Sequence, residues 1–448
     1  MEIPRPLANV IDFARKVNEY QTYTKSTLSA MIILPNHEQI ELLWVKGLAR
    51  FSMFALNRSD DLRIAGELQP GVYLNKVLAN KDNLYIEVTE RKGLAQVTQK
   101  YRATPKGDSN PQMEGNSVKL ANMDSKDFLN LVPVEFQMME VGYAILKNAI
   151  VTDKQLMSTM GDVLHYQLIK FGRELCGDLP NDDVWRGVDV ENFIDNTRVY
   201  PVVDISPPIP LKDLGTWLQN NEQYGVYSKG LGMYYRKGMW YIYPLFKMGR
   251  YETARKALNI YRVPQDIIPT LEVTHFTEGK ITTILATGEA KQIDGRDVVK
   301  QNKGTGKRII SSDALMGETG QYYQNGQHLT TRADTLSEYM TSTRGSGEDM
   351  APFVTTPSNN LAKYLTENAF NEGSIETIQW MNSDHSKLEP GMPVRFYYLV
   401  NDILMYKEGT LLAGRTEHIK DQQNPKELKF RQSSALSMFL NNQVVEVT

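Results

Sequence analysis

The sequence predicts a β-dominated α+β protein, with strands toward both ends of the chain and helices in the middle. Three observations carry that reading. In the first third, Leu84, Ile86 and Val88 alternate with Tyr85, Glu87 and Thr89, the period of a strand with one buried face. In the middle, Leu156, Met160, Val163, Leu164, Leu168 and Phe171 recur at helical spacing. In the last third, short apolar runs bounded by glycine return, as in Lys280 to Thr287 after Gly279.

Taken in order, Leu28 to Leu34 and Gln39 to Val45 read as strands split by the turn residues Pro35-Asn36-His37. Leu62 to Leu68 is a third strand, ended by the breaker pair Pro70-Gly71. Lys100 to Gly115 is polar and rich in turn formers and reads as a loop. Asp127 to Ile150 is apolar again and closes the sheet.

The middle begins at Thr152, which with Gln155 matches a capping box, so a helix is expected from there to a stop at Gly172. A second helix follows Pro207-Pro208-Ile209-Pro210, carries Leu211, Leu214, Trp217 and Leu218, and ends at Tyr224-Gly225. Leu231 to Arg236 and Met239 to Tyr243 form a hairpin turning at Lys237-Gly238. Leu271 to Phe276 and Lys280 to Thr287 are the next strands. Lys300 to Met350 is polar and weakly periodic, as a mobile insertion or long loop would be. Ser358 is placed to cap a helix carrying Leu361, Tyr364, Leu365 and Phe370, with Gly373 ending it. Val394 to Val400, Thr410 to Thr416 and Leu428 to Asn441 complete the strands. No tandem repeat is visible, although the β–helical–β order allows one barrel type to occur twice.

Composition limits the function. A chain of 448 residues corresponds to two to four domains at about 100–200 residues each. With 41% hydrophobic residues and 9% aromatics it has the material for packed cores. A net charge of −3 argues against a surface that grips nucleic acid non-specifically. The lone cysteine, Cys176, has no disulfide partner within the chain and reads as core filling. Glu2, Pro4 and Pro6 stand where a signal peptide needs a basic start and an apolar run. Runs such as Met31 to Leu34 fall far short of the ~20 residues that span a bilayer. The expectation is therefore a soluble product made in the cytoplasm, with no membrane insertion.

The search for chemistry returns no starting residue. No two of His37, His165, His275, His328, His385 and His418 lie at metal-ligand spacing, and there is no HExxH or Cys/His cluster. His165 reads as a satisfied core or rim residue of its helix rather than a catalytic one. Gly304-Thr305-Gly306-Lys307-Arg308 resembles a phosphate loop, but Gln301 replaces the first glycine and Arg308 the magnesium-binding hydroxyl, so a flexible basic loop is expected. Asp182-Asp183 and Glu348-Asp349 are acid pairs in polar, loop-like stretches. Catalytic, cofactor-binding and metal-ligating residues are accordingly expected to be none. The 23 tyrosines and 19 methionines suit adaptable cores and extended contact surfaces alike.

Three stretches carry a resemblance. The first is Arg63-Ile64-Ala65-Gly66-Glu67-Leu68-Gln69-Pro70-Gly71-Val72-Tyr73 with the strand Lys81 to Val88. The second runs from Thr159-Met160-Gly161-Asp162-Val163-Leu164 through Val202-Val203-Asp204-Ile205-Ser206-Pro207-Pro208 and the helix Leu211 to Gln223 into Tyr224-Gly225-Val226-Tyr227. The third is Glu389-Pro390-Gly391-Met392-Pro393-Val394-Arg395-Phe396 with Glu408 to Thr416. Together they resemble the central hub protein of contractile-tail bacteriophage baseplates, a family related to the amino-terminal part of VgrG spike proteins. The match covers about two thirds of the chain as an order of segments.

That resemblance implies two tail-tube-like β-barrel domains, at 1–150 and 266–448, a helix-containing middle domain at 151–265, and a loop-rich insertion at about 300–372. It also implies a homotrimer whose six barrels form a pseudo-sixfold ring in the virion baseplate. The ring would join the hexameric tail tube protein to the trimeric spike protein, beside tape measure and baseplate wedge proteins. DNA would meet it only in transit, so the Lys300 to Arg308 basic cluster is expected outside the lumen. Two other readings stand beside the hub: a tail-associated peptidoglycan-degrading enzyme using a carboxylate pair, and a tail-tube or terminator component of sixfold symmetry.

Overall fold

The computed structural model describes residues 4–20, 25–56, 58–106, 131–177, 184–191, 197–221, 225–263, 272–286, 372–421 and 428–447, with the backbone of 291–294, 308–311, 320–324, 327–328 and 338–340. The fold is β-dominated with a few helices. The first of these, α1 (Arg5–Tyr20), was not expected from the sequence. Pro6 is tolerated in its first turn, where the missing N–H has no partner to lose. Leu7, Ile11 and Ala14, spaced four and three apart, are buried against Tyr261, Val263, Leu285, Tyr397 and Leu404 near the other end of the chain. No described helix is long and apolar enough to cross a membrane.

The first third forms β1 (Thr27–Ile33), β2 (Gln39–Glu41), β3 (Leu43–Ser52), β4 (Arg58–Ser59), β5 (Asp61–Leu68), β6 (Leu84–Lys92), β7 (Ala95–Pro105) and β8 (Val132–Glu140). The expected strand Gln39 to Val45 is broken at Leu42, and the pairing of β3 with β5 shifts register between Leu43 and Gly47. The strand Leu62 to Leu68 ends before the breaker pair Pro70-Gly71 as expected, and Pro70 takes a first-turn position in a helical segment that continues to Asn83. The loop expected from Lys100 is a correction, because Lys100 to Pro105 belongs to β7, where Tyr101 and Ala103 are buried.

The middle contains α2 (Val141–Leu146), β9 (Ile150–Ser158), α3 (Met160–Cys176), β10 (Gly187–Val190), β11 (Tyr200–Pro210), α4 (Leu211–Asn221), β12 (Leu231–Arg236) and β13 (Met239–Pro244). The capping box at Thr152 is overturned, since Thr152 lies in β9, paired with β11. The helix starts eight residues later. Thr159 caps it, with Oγ1 accepting from the Asp162 N–H at 3.1 Å and donating to Asp162 Oδ2 at 2.7 Å. Nor does the helix stop at Gly172, which lies inside it because a Cβ there would come within 2.2 Å of the Trp185 ring. The stop is Gly177, at φ +103°. Pro207, Pro208 and Pro210 precede α4 as expected but belong to β11. The β12–β13 hairpin turns at Lys237-Gly238, with φ of 50° and 73°.

The last third contains β14 (Ala257–Arg262), β15 (His275–Glu278), β16 (Ile281–Ala286), β17 (Lys291–Asp294), four short strands β18 to β21 (Arg308–Ser311, Gly320–Gln324, Gln327–His328, Glu338–Met340), then β22 (Gly373–Met381), β23 (Pro393–Val400), β24 (Ile403–Lys420), β25 (Phe430–Asn441) and β26 (Val445–Glu446). The stretch expected to be a long loop thus includes a small sheet, ordered β20-β19-β18-β21. The helix expected after Ser358 lies outside the described residues, and Gly373, placed at its end, opens β22.

β24 joins the two ends of the chain. Its first half pairs with β23, and Gly414 to Glu417 pair with Ser52 to Ala49 of β3. β25 runs beside it, and at its start Phe430 exchanges two backbone hydrogen bonds of 2.9 and 2.8 Å with Ser26, just before β1. The pairings therefore return to their origin: β1-β6-β7-β8-β5-β3-β24-β25 and back to β1. This circuit surrounds an apolar core that includes Ile32, Ile64, Ile86 and Phe136. A second core, around Trp380, Phe396 and Phe439, serves the last third, and a third, around Leu164, Leu214 and Trp240, serves the middle.

Candidate functional site

One end of the strand circuit is polar inside. The inward period of β5 runs back from Ile64 and Leu62 to Asp60, that of β6 runs on from Val88 to Glu90, and that of β8 from Met138 to Glu140. β3 adds Arg50 and Ser52, β24 adds Thr416 and His418, and β25 adds Gln432 and Ser434. The pairing of β4 with β12, Arg58 opposite Tyr234 and Ser59 opposite Tyr235, brings Tyr234 and Arg236 of the middle sheet to the same place.

Asp60 is the centre, with its side chain fully buried. Oδ2 accepts from Arg50 Nη1 at 2.8 Å and lies 3.5 Å from Arg236 Nε. Oδ1 accepts from Ser52 Oγ at 2.7 Å and from Tyr234 Oη at 2.8 Å. Burial alone would push this carboxyl up. The two guanidiniums and two hydroxyls outweigh it and hold the pKa below its ordinary value. Arg236 also donates to the backbone carbonyls of Leu388 and His385, tying the middle sheet to the last third. His385 stands between Ser52 Oγ, 3.1 Å from Nε2, and Thr416 Oγ1, 2.8 Å from Nδ1. Burial and the nearby arginines hold it far below its usual pKa, so it is neutral. Because Ser52 gives its proton to Asp60, Nε2 of His385 is the donor to Ser52. Glu140 is different: burial and the charge of Asp60 push its pKa up to about 7.

The seam where β25 meets β1 has its own cluster. His418 reaches the Leu48 carbonyl at 3.0 Å and Glu90 at 3.3 Å, while Gln432 donates to Glu90 at 2.8 Å. Asp421 takes Lys25 at 2.6 Å across the same seam.

Two surface features complete the inventory. A cleft of about 560 Å3 runs between β10 and the Glu389–Pro393 segment. Ion pairs of Asp189 with Arg255, Glu191 with Arg250 and Lys256 with Glu389 line it. The buried Arg250 also donates to the Gly391 carbonyl at 2.8 Å, which fixes that segment. On the ribbon formed by β9 and β11, Leu156 and Val202 face each other, 69% and 53% exposed, beside the exposed Met157. Pro201, Pro207 and Pro208 remove backbone donors along β11.

The structure assigns places to the residues singled out in the sequence. His165 is half-exposed on α3, and Cys176 is half-buried at the end of α3, where burial pushes its thiol up. His385 and His418, far from any motif, come together with the polar end, and His275 lies 3.8 Å from Asp384. Asp182-Asp183, Glu348-Asp349 and Lys300 to Lys307 lie outside the described residues, as do the side chains of Arg308 and His328. Asp60, Arg50, Arg236 and Glu140 went unmarked in the sequence. The signal that finds them is a period-two apolar strand whose inward series ends on a charge.

No family model matches the sequence, and no curated relative does. Among solved structures, the chain is similar to the tail protein from Neisseria meningitidis MC58 over 92% of its length and 96% of the other's, at 10% identity and a TM-score of 0.46. It is similar to the 43 kDa tail protein of prophage MuSo2 from Shewanella oneidensis over 92% and 98%, at 9% identity and 0.43. It is also similar to a chain of the Francisella PdpA-VgrG complex over 99% and 64%, at 12% identity and 0.40.

Proposed function

We propose that the chain is a structural virion protein, the central hub of a tail baseplate. In this reading three copies form a pseudo-sixfold ring around the DNA-ejection channel and adapt a hexameric tail tube to a trimeric spike. Residues 1–150 and 266–448 are the tube-like units, with 300–372 an insertion in the second, and 151–265 lies between them. Tape measure and wedge proteins are neighbours, and DNA passes through without being held.

The observation that carries the reading is the pairing of β3 with β24, which makes the strand systems of the two ends of the chain one continuous sheet. A component that transmits force along a tail needs such a covalently and sterically fixed pair of units, and needs no reacting group. The carboxylates brought together at the polar end, Asp60 and Glu140, are shut off from solvent, at 1% and 7% exposure. That favours the structural reading over hydrolysis of peptidoglycan. The apolar ribbon at Leu156 and Val202 suits a contact between subunits, where large permanent interfaces are the rule.

Native mass spectrometry with electron microscopy of the purified chain tests the proposal. Trimeric rings with six similar lobes are expected. Sixfold or twelvefold rings, or a monomer that clears cell walls in a turbidity assay, would overturn it.

A further inference from the structure

We propose that Glu140 is a proton-controlled latch between the strand circuit and the β12–β13 hairpin, seated while its carboxyl carries a proton and loosened when the proton leaves. The inference does not depend on the assembly proposed above. Glu140 is the last residue of β8, and its Oε2 accepts from the Gly238 N–H at 3.3 Å, in the tight turn of that hairpin. The same turn holds the start of β10, through the Arg186 N–H on the Gly238 carbonyl at 2.6 Å. A change at Glu140 therefore reaches three strands of the middle sheet, β12, β13 and β10.

The charged groups around it are already engaged. From β3, Arg50 gives Nη1 to Asp60 and Nη2 to Tyr101. From β12, Arg236 gives both terminal nitrogens to backbone carbonyls and turns Nε toward Asp60. From the turn, Lys237 is itself made less basic by burial. Among the described residues, no cation lies within 4 Å of the Glu140 carboxylate. From the start of β5, Asp60 adds a negative charge, and the hydroxyls of Tyr101 and Tyr235 complete the surroundings. Two guanidiniums thus serve one acid, and a second buried carboxylate is left with peptide donors. Neutralisation is the ordinary resolution of that conflict.

The sign follows from linkage. Burial and Asp60 push the proton affinity of the folded state up to about 7, above the ordinary carboxyl value of 4.5. The stabilisation is thus complete below the unfolded value and is lost as pH rises through about 7. Loss of the proton draws water toward the carboxylate and frees the turn.

Amide hydrogen exchange of the full chain between about pH 5 and about pH 9, corrected for chemical exchange, reads the latch at residues 236–240. Protection of Gly238 in the wild type is expected to fall with a midpoint near 7, while Glu140→Gln, which cannot ionise, stays protected throughout. Parallel profiles for the two proteins, or a flat wild-type profile, would overturn the proposal. Should Glu140→Gln fail to fold, carboxyl carbon NMR of the wild type decides. A Glu140 midpoint well above the ordinary range supports the latch, and one within that range rejects it.

Discussion

At the residue scale, Asp60 settles how three parts of the chain meet. It is the counter-charge of both Arg50 and Arg236, whose side chains are 15% and 2% exposed. Removing one partner of a buried charge cluster leaves the others unpaired, at a cost of about 3–5 kcal/mol. Asp60→Ala is therefore expected to lower the urea midpoint steeply, whereas Arg63→Ala, beside the half-exposed Asp61, should change it little. A shift of similar size for both variants would show that Asp60 is no keystone. The pH dependence has a defined sign. Because the folded-state pKa of Asp60 is depressed, its contribution is present above 3.8 and lost as pH falls through the folded value. The site was legible only as strand parity. Leu62 and Ile64 announce a buried face, and Asp60 lies on it, but nothing local says which cations will arrive from β3 and β12.

At the scale of elements, local pattern and tertiary pairing compete, and β9 shows which prevails. Thr152 and Gln155 have the spacing of a capping box, yet both lie in β9, where Asp153 to Leu156 pair with Ile205 to Val202 of β11, and Thr159 caps the helix instead. The expected cap and the observed one lie seven residues apart, and the packing of α3 against α4 and β10 selects between them. Where no such competitor existed, the reading held. The hairpin at Lys237-Gly238 and the alternation in β6 were both visible, because a left-handed turn and a half-buried strand are fixed by few residues. α1 was missed for a different reason: its three-residue apolar stripe gains meaning only against β14, β16 and β23. The cap assignment predicts an asymmetry. Thr159→Ala should destabilise by about 1 kcal/mol and Thr152→Ala by much less, measured side by side by chemical denaturation. Equal losses would return the helix start to Thr152.

At the scale of the whole molecule, the strand circuit has a consequence for folding. Six of its strands come from the first third, and two, β24 and β25, come from the last. The edge of β3 at Ala49 to Ser52 and the chain at Ser26, just before β1, stay unpaired until the C-terminal strands are made, and unpaired edges invite aggregation. The long sequence separation of these contacts also makes closure slow compared with local hairpins. Cutting the chain before Phe430 removes β25 and takes away the Ser26 bridge, the Gln432–Glu90 bond and the partner of β24 together. Such a truncation is expected to lose protection against limited proteolysis in β1 and β3, hundreds of residues away, as well as in β24. If β1 and β3 stayed as resistant as in the full chain, the circuit would be dispensable and the first third would be a self-sufficient unit. The linkage that makes folding non-local is the same one that holds the two ends of the chain in fixed relation. A stable first third alone would therefore also show that the continuity of the sheet across the two ends is not needed to hold either of them.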